Sequence, residues 1–133
     1  MKISKKIEYW VDISEYDMKT ADSMQRSGRY LYTVFMCQQA IEKILKALHI
    51  QKFGKEASLT HNLPYLQEVV DINLSESDIE LLAQLTTYYI EGRYPSYKKK
   101  LSMLVDKEKA SEILKKSKGV YQCLRSKVEL KGK

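Results

Sequence analysis

The stretch "YLYTVFMCQQAIEKILKALHIQK", residues 30–52, decides the fold, because it reads as one long helix that is apolar over a broad face. Its apolar residues recur every three or four positions, the spacing that places side chains on one side of an α-helix. They are Tyr30, Val34, Cys37, Ile41, Ile44, Leu45 and Leu48. We therefore predict that this second helix is the most buried one in the chain.

Two helices are predicted next to it along the chain. Residues 4–26 carry a similar apolar stripe, which "SGR" at 27–29 interrupts. After residue 52 the stretch "FGKEASLTHN" reads as a loop, and a short helix follows at about 63–71. Asn62 can cap that helix, and Pro64 suits its first turn because the amides of a first turn have no intrahelical partner.

Two more helices complete the pattern. The fourth begins at Ser75 or Ser77, each of which is followed three residues later by an acidic residue, as in a capping box. It should end near Gly92–Arg93, because Pro95 disfavours helical geometry at the residue before it. The fifth runs from a capping aspartate, Asp106, to about residue 128.

Four long helices and one short helix predict an all-α domain. The economical arrangement is an antiparallel, up-down four-helix bundle, with the short helix between the second and third long helices. No alternating β-branched run and no hairpin dipeptide predicts a strand. The whole chain, residues 1–133, reads as a single domain.

The net charge of +6 is concentrated in the last quarter of the chain. Residues 98–133 hold 12 Lys or Arg against 4 Asp or Glu, whereas residues 1–97 are slightly acidic. This asymmetry fits either a lysine-coated helix that favours solubility or a surface for an anionic partner, such as RNA, DNA, a nucleotide or an acidic protein. Charge alone does not separate these alternatives.

The chain carries no sign of secretion or membrane insertion. No run approaches the roughly 18 apolar residues that a membrane helix needs, and the charged amino terminus does not resemble a signal peptide. Cys37 and Cys123 are isolated from each other, and Cys37 is predicted to be a buried thiol. A reducing cytoplasm is the expected setting.

The segment "EGRYPSYKKK", residues 91–100, is the first candidate site. Arg93 is either a cation that interacts favourably with the end of the helix dipole or a residue that faces an anion. Lys98, Lys99 and Lys100 are either a solvated run or phosphate contacts. Tyr94 and Tyr97 are free to stack on a base, whereas Tyr88 and Tyr89 are better suited to packing.

A polar stripe on the second helix is the other candidate site. Its members are Gln38, Gln39, Glu42, Lys43 and Lys46. They can pair at a spacing of four residues, as Gln38–Glu42 and Glu42–Lys46, or they can line a central groove near Arg93, where the two lysines would bind phosphate. His61 is expected to pack or to hydrogen-bond locally. No His or Cys set has metal-ligand spacing, so no metal or cofactor is predicted.

Three stretches resemble the HEPN family of helical domains. They are "MCQQAIEKILKAL" at 36–48, "THNL" at 60–63 and "YYIEGRYP" at 88–95, and Trp10 with Ala21 also fits the pattern. The resemblance covers about residues 5–128. Within it, Gln39, Glu42, His61, Asn62, Tyr88 and Pro95 are motif residues for which we expect a structural role.

The resemblance to the HEPN family implies a homodimer and, frequently, a minimal nucleotidyltransferase as partner in a toxin–antitoxin pair. Relatives paired in this way can accept a nucleotidyl group on a tyrosine, and Tyr94 and Tyr97 lie near that position. Many relatives are metal-independent ribonucleases, in which an arginine is followed four to six residues later by a histidine at the groove between two subunits. Arg93 matches the arginine.

The histidine of that pattern is absent here. Positions 98, 99 and 100 are lysines, and a lysine with a pKa near 10.4 is a poor base at neutral pH. We therefore favour a module that binds a nucleotide, RNA or a nucleotidyltransferase without cleaving RNA. A ribonuclease toxin with an altered site and a purely structural dimeric adaptor are the alternatives.

Overall fold

The computed structural model describes residues 2–129, and all of its regular structure is helical. The helices are α1 (Ile3–Arg26), α2 (Tyr30–Phe53), α3 (Leu63–Val70), α4 (Glu76–Glu91), α5 (Pro95–Leu104) and α6 (Lys107–Arg125). The predicted all-α class is confirmed. Within residues 2–129 no helix is both long and apolar enough to cross a membrane.

Helix α2 is the centre of the fold. It contacts each of the other five helices, and its most extensive contact is with α1, to which a short turn joins it. Ile41, Ile44 and Leu45 are completely buried, and Cys37 is a buried thiol whose pKa is raised to about 12 by its burial. The prediction that this is the most buried helix is confirmed. The up-down order of a four-helix bundle stays a prediction.

Three predicted caps hold the beginnings of the helices. The side chain of Asn62 accepts a hydrogen bond from the Tyr65 amide at 3.0 Å, and that of Asp106 accepts one from the Lys109 amide at 2.8 Å. For α4 the cap is Ser75, which accepts from the Asp78 amide at 3.1 Å, and Ser77 is not the cap. Each bond satisfies an amide that has no partner within its helix.

One helix is not predicted by the sequence patterns. Pro95 indicates the end of α4, but it also opens α5, since a proline at the first helical position needs no amide partner and has a suitable backbone angle. Tyr94 before it is extended, with φ −100° and ψ 128°. Leu101 and Val105 are buried and anchor α5 to the core, so Lys98, Lys99 and Lys100 are helical rather than part of a loose tail.

The other predicted boundaries are close to those observed. Helix α4 ends at Glu91 and is followed by Gly92, as expected from Pro95. Helix α6 ends at Arg125, three residues before the predicted end, although Val128 still packs against the core. Helix α3 ends at Val70, because Asp71 adopts the left-handed conformation with φ 61°.

Candidate functional site

Three aromatic rings join α2 to the end of α4. The Phe35 ring meets Tyr32 edge to face at a centroid distance of 5.3 Å, and it meets Tyr89 in the same way at 5.6 Å. Edge-to-face contacts at such distances are favourable because the positive edge of one ring faces the negative face of the other. We call Tyr32, Phe35 and Tyr89 the aromatic triad.

The aromatic triad holds two cations. The guanidinium carbon of Arg93 lies 5.5 Å from the centroid of Tyr89, and the Lys98 ammonium lies 5.1 Å from that of Tyr32. Burial raises the pKa of Tyr89, with Arg93 partly offsetting this, so the phenol is neutral at pH 7 and its attraction for Arg93 is of the cation–π kind. Within residues 2–129 neither cation has a carboxylate partner. Their charges are therefore not neutralised.

Gly92 fixes the point where the chain leaves α4. It is buried, and a β-carbon at this position would collide with the Phe35 ring and would lie 2.8 Å from the Tyr88 carbonyl oxygen. The backbone therefore approaches the aromatic triad as closely as only glycine allows. This contact sets the position from which the exposed side chain of the next residue, Arg93, extends.

The surface around Arg93 is open. A recess of about 220 Å³ is lined by Ile90, Arg93 and Tyr94. Tyr94 is 58% exposed and Tyr97 is 50% exposed, so both side chains are accessible. A larger recess of about 600 Å³ lies between α4 and α6 and contains none of the predicted site residues.

A buried carboxylate organises the polar stripe of α2. Glu42 is 2% exposed, and its Oε1 accepts from Gln38 Nε2 at 3.0 Å and from His61 Nδ1 at 2.7 Å. Its Oε2 accepts from Lys46 Nζ at 2.9 Å. Burial raises the pKa of Glu42, but the hydrogen bonds from Lys46, His61 and Gln38 outweigh it, so the pKa lies below its usual value and the group is ionised at pH 7.

The two lysines of the stripe already have partners. Lys43 Nζ lies 2.8 Å from Gln39 Oε1 and 3.4 Å from Asp17 Oδ2, and burial raises the pKa of Asp17. Lys46 pairs with Glu42 and lies over the ring of Trp10 at 5.6 Å. These charges are neutralised locally, unlike those of Arg93 and Lys98.

The remaining candidate residues from the sequence analysis either contact the rest of the fold or lie exposed on the surface. Asn62 caps α3, Pro95 opens α5, and Tyr88 is half-buried against the core, all three in structural roles. The predicted spacing pairs, Gln38–Glu42 and Glu42–Lys46, are both confirmed. Lys99 and Lys100 are exposed on α5.

His61 connects the polar stripe to the aromatic triad. It hydrogen-bonds to Glu42, as expected of a local structural role, and its ring also meets Tyr89 at a centroid distance of 5.1 Å. Tyr89 thus contacts His61 and Arg93 with one ring. Residues from α2, from the loop before α3 and from the end of α4 therefore form one continuous cluster.

The family model for the HEPN domain matches residues 7–127. The chain belongs to the HEPN family. Two solved structures share the HEPN fold found here: TT1696 from Thermus thermophilus, with 22% identity and a TM-score of 0.79, and ST0689, an archaeal HEPN homologue, with 20% identity and a TM-score of 0.71. Each comparison covers 92% of this chain and 98% of the other. No curated protein matches the chain significantly.

The three stretches that resemble the HEPN family meet in space. The second-helix stretch supplies Glu42, the "THNL" stretch supplies His61, and the end of the fourth helix supplies Tyr89 and Arg93. Spacing along a sequence does not reveal contacts between residues so far apart. The structure thus gives the HEPN stretches of this chain a common location.

Sequence reasoning missed three residues of the site. Tyr32 and Phe35 precede the resembling stretch, and their spacing of three residues on α2 was the one available signal of a shared face. Gly92 is marked in the sequence only as a helix end. Its close approach to Phe35 depends on how α2 and α4 pack, which no local pattern encodes.

Replacing Gly92 by alanine should destabilise the HEPN domain by about 1–3 kcal/mol, since the added methyl group overpacks the contact with Phe35. Gly119→Ala is the matched control: a β-carbon there meets nothing within 4 Å, and the position lies inside α6. That substitution should stabilise the protein by about 0.4–1 kcal/mol. Urea unfolding measures the change in the free energy of unfolding for both variants. Equal changes in the same direction would contradict the packing argument.

Glu42→Gln should change how the stability of the domain depends on pH. The folded pKa of Glu42 is below the reference value of 4.5, so its ionised form stabilises the fold above that pH, and this contribution is lost as the pH falls through the folded pKa. At pH 7 the substitution should cost about 1–3 kcal/mol. The difference from wild type, measured by urea unfolding, should narrow as the pH falls below the reference value of 4.5.

The control for that experiment is Glu80→Gln, which removes an exposed carboxylate of α4. It should change the free energy of unfolding by less than about 0.5 kcal/mol at any pH in the series. A difference between wild type and Glu42→Gln that stays constant with pH would show that the buried carboxylate does not act through its charge.

Proposed function

We propose that this HEPN protein binds the phosphate groups of RNA or of a nucleotide at Arg93 and Lys98. The observation that carries the proposal is the pair of cations without carboxylate partners among residues 2–129, both held on the aromatic triad. A guanidinium already positioned on a ring loses little freedom when it binds a phosphate, and its planar donors match phosphate geometry.

The arrangement of charge supports this location rather than the polar stripe. Lys43 and Lys46 are 17% and 12% exposed and already neighbour carboxylates, so a phosphate would have to compete for them. Lys99 and Lys100 instead extend the positive potential along α5, in the part of the sequence that carries the excess charge. Exposed like-charged groups of this kind attract polyanions over several ångströms.

Aromatic side chains can contribute to binding at the same surface. Tyr94 precedes α5 and Tyr97 lies in its first turn, and each side chain is half or more exposed. A base can stack on either ring with little sequence preference, which is how many proteins hold single-stranded nucleic acid. Phosphate contacts from Arg93 and Lys98 would then position the strand.

We further propose that the binding unit is a homodimer in the cytoplasm. The recess at Arg93, about 220 Å³, is smaller than the roughly 300–1,000 Å³ of ordinary ligand pockets, and it is open on one side. A second copy placed against this surface would deepen it into a groove with two guanidiniums. This matches the groove that the family resemblance implies.

Arg93→Ala should weaken the affinity for a short fluorescein-labelled single-stranded RNA by about 10- to 100-fold, because a charge-assisted contact is lost. Arg93→Ala combined with Lys98→Ala should also flatten the salt dependence by about 1.4 in log–log slope. Fluorescence anisotropy in a salt series measures the affinity and its salt dependence for each variant. Lys115→Ala, an exposed lysine of α6, is the charge-matched control, and an equal loss there would contradict a defined site.

A second candidate function, partnership with a minimal nucleotidyltransferase in a toxin–antitoxin pair, is favoured by the exposure of Tyr94 and Tyr97. In that case one of the two hydroxyl oxygens would form a bond to the α-phosphorus of a nucleoside triphosphate while the bond from that phosphorus to pyrophosphate breaks, and the hydroxyl proton would pass to solvent. Co-expression with a neighbouring nucleotidyltransferase gene should add the mass of a nucleoside monophosphate, less one water, to the intact protein. Tyr94→Phe or Tyr97→Phe should abolish the added mass, while the half-buried Tyr88 should remain unmodified.

A further inference from the structure

The imidazole of His61 is held with one ring nitrogen against a carboxylate. Its Nδ1 lies 2.7 Å from Glu42 Oε1, and because that carboxylate is ionised it only accepts hydrogen bonds, so Nδ1 donates. The His61 carbonyl oxygen accepts from Gln38 Nε2 at 3.0 Å, which holds the backbone as well. Among residues 2–129 the other ring nitrogen, Nε2, has no hydrogen-bond partner, and the side chain is 41% exposed. Nε2 is therefore the atom at which His61 can gain a proton from solvent.

A proton on Nε2 adds a positive charge beside the proposed phosphate site. His61 meets the Tyr89 ring at a centroid distance of 5.1 Å, and the guanidinium carbon of Arg93 lies 5.5 Å from the same ring centroid. The imidazole and the guanidinium are thus no farther apart than the sum of these two distances. That separation is comparable with the screening length of roughly 10 Å at 0.1 M salt, so an imidazolium here still attracts an anion bound to Arg93.

Helices α2 and α4 supply the titratable groups that contact His61 among residues 2–129. Glu42 of α2 is matched in charge by Lys46, which donates to its other oxygen. Tyr89 of α4 carries no charge at or below pH 7, because burial raises its pKa. Protonation of His61 therefore adds one positive charge to a cluster in which Arg93 is already an unmatched cation.

One further acid lies near this cluster, on α1. Asp17 pairs with Lys43 Nζ at 3.4 Å, and burial raises its pKa, so its charge also changes as the solution becomes acidic. Asp17 pairs with Lys43 and not with His61, so its titration persists when His61 is replaced. A variant of the histidine therefore separates the contributions of the two groups.

We propose that His61 is a proton-dependent phosphate-binding residue, whose imidazolium attracts the phosphate groups of a nucleic acid held at Arg93. The inference rests on the proposed function and adds regulation by pH to the same site. In the neutral imidazole with hydrogen on Nδ1, Nε2 presents a lone pair, which phosphate oxygens repel. In the imidazolium the same atom presents an N–H donor and a positive charge. The proton comes from solvent and returns to it when the anion leaves.

Thermodynamic linkage fixes the direction of the effect. If the bound anion favours the protonated imidazole, the proton must favour the bound anion by the same factor, so the affinity rises as the pH falls. An imidazole is the side chain that ordinarily changes charge between pH 5 and pH 8. The phosphodiester groups of RNA keep a single negative charge over that range, so the RNA backbone contributes no change of its own.

The affinity for RNA as a function of pH tests the inference. The probe is a rhodamine-labelled oligouridylate without a terminal phosphate, and anisotropy is measured with the full chain at constant salt between about pH 7.5 and pH 5.5. Wild type should bind about 3- to 20-fold more tightly at the lower pH. His61→Asn should bind as wild type does at the higher pH and should lose this rise, although its amide can still donate to Glu42. A rise of the same size in His61→Asn would overturn the inference.

The other histidine of the chain, His49, gives the matched control. It is 7% exposed, its Nδ1 donates to the Lys55 carbonyl oxygen at 2.8 Å, and its ring contacts Phe53 rather than the aromatic triad. His49→Gln should therefore keep the pH dependence of wild type. Loss of the pH dependence in His49→Gln together with its retention in His61→Asn would assign the titration to the wrong histidine and overturn the inference.

Calorimetry measures the proton directly and does not depend on how well a variant folds. Binding enthalpies for the same oligouridylate, measured near neutral pH in buffers of different ionisation enthalpy, give the number of protons taken up per RNA bound. Wild type should take up roughly 0.2–0.8 of a proton, and His61→Asn should take up close to none. Binding by wild type without proton uptake would overturn the inference.

Arg93→Ala distinguishes failure of the inference from failure of the proposed function. This variant should bind the oligouridylate more weakly than wild type throughout the pH series. If it does so but the affinity of wild type is independent of pH, the proposed function stands and the inference is wrong. If Arg93→Ala binds as tightly as wild type at both ends of the pH range, both are wrong.

Discussion

The carboxylate of Glu42 is the constraint on which the rest of the site depends. A charge that is 2% exposed is costly to bury unless its oxygens receive strong hydrogen bonds, and here three donors from three residues converge on it. Two of the donors, Gln38 and Lys46, lie one turn away on α2 and form with the helix itself. The third, His61, comes from the loop before α3, so satisfying the charge requires that loop to close onto α2.

The second constraint is the apolar packing of Phe35, which supports Tyr89. The Phe35 ring presses against Gly92 and supports Tyr89, and Tyr89 in turn contacts His61 and Arg93. Because a packed ring can neither shift nor tilt freely, the end of α4 and the loop before α3 are held at a fixed separation. A polar interaction and an apolar one thus meet at a single tyrosine, which is why residues from three distant stretches form one cluster.

The sequence predicted what local patterns control. The stripe on α2, the caps at Asn62 and Asp106, and the spacing pairs around Glu42 follow from periodicity and from the hydrogen bonds that helix ends lack. Helix α5 was missed because a proline such as Pro95 is compatible both with the end of one helix and with the first turn of the next. Only the burial of Leu101 and Val105 shows that a new helix begins there. The aromatic triad was missed for a different reason: Phe35 and Tyr89 touch only once α2 and α4 have packed.

The difference between local sequence patterns and contacts formed by packing also explains why net charge alone could not locate a binding surface. Lys43, Lys46, Arg93 and Lys98 count equally in a sequence, yet the first two are neutralised by Asp17 and Glu42 and the last two rest on uncharged rings. An aromatic ring positions a cation without cancelling its charge, whereas a carboxylate positions it and cancels it. The fold therefore places fixed but unneutralised cations at the α4–α5 junction, whereas the paired cation Lys46 keeps the Glu42 carboxylate ionised, and that carboxylate orients His61. Cations that keep their charge and cations that stabilise a buried carboxylate are thus of the same residue types, and they differ only in what each one contacts.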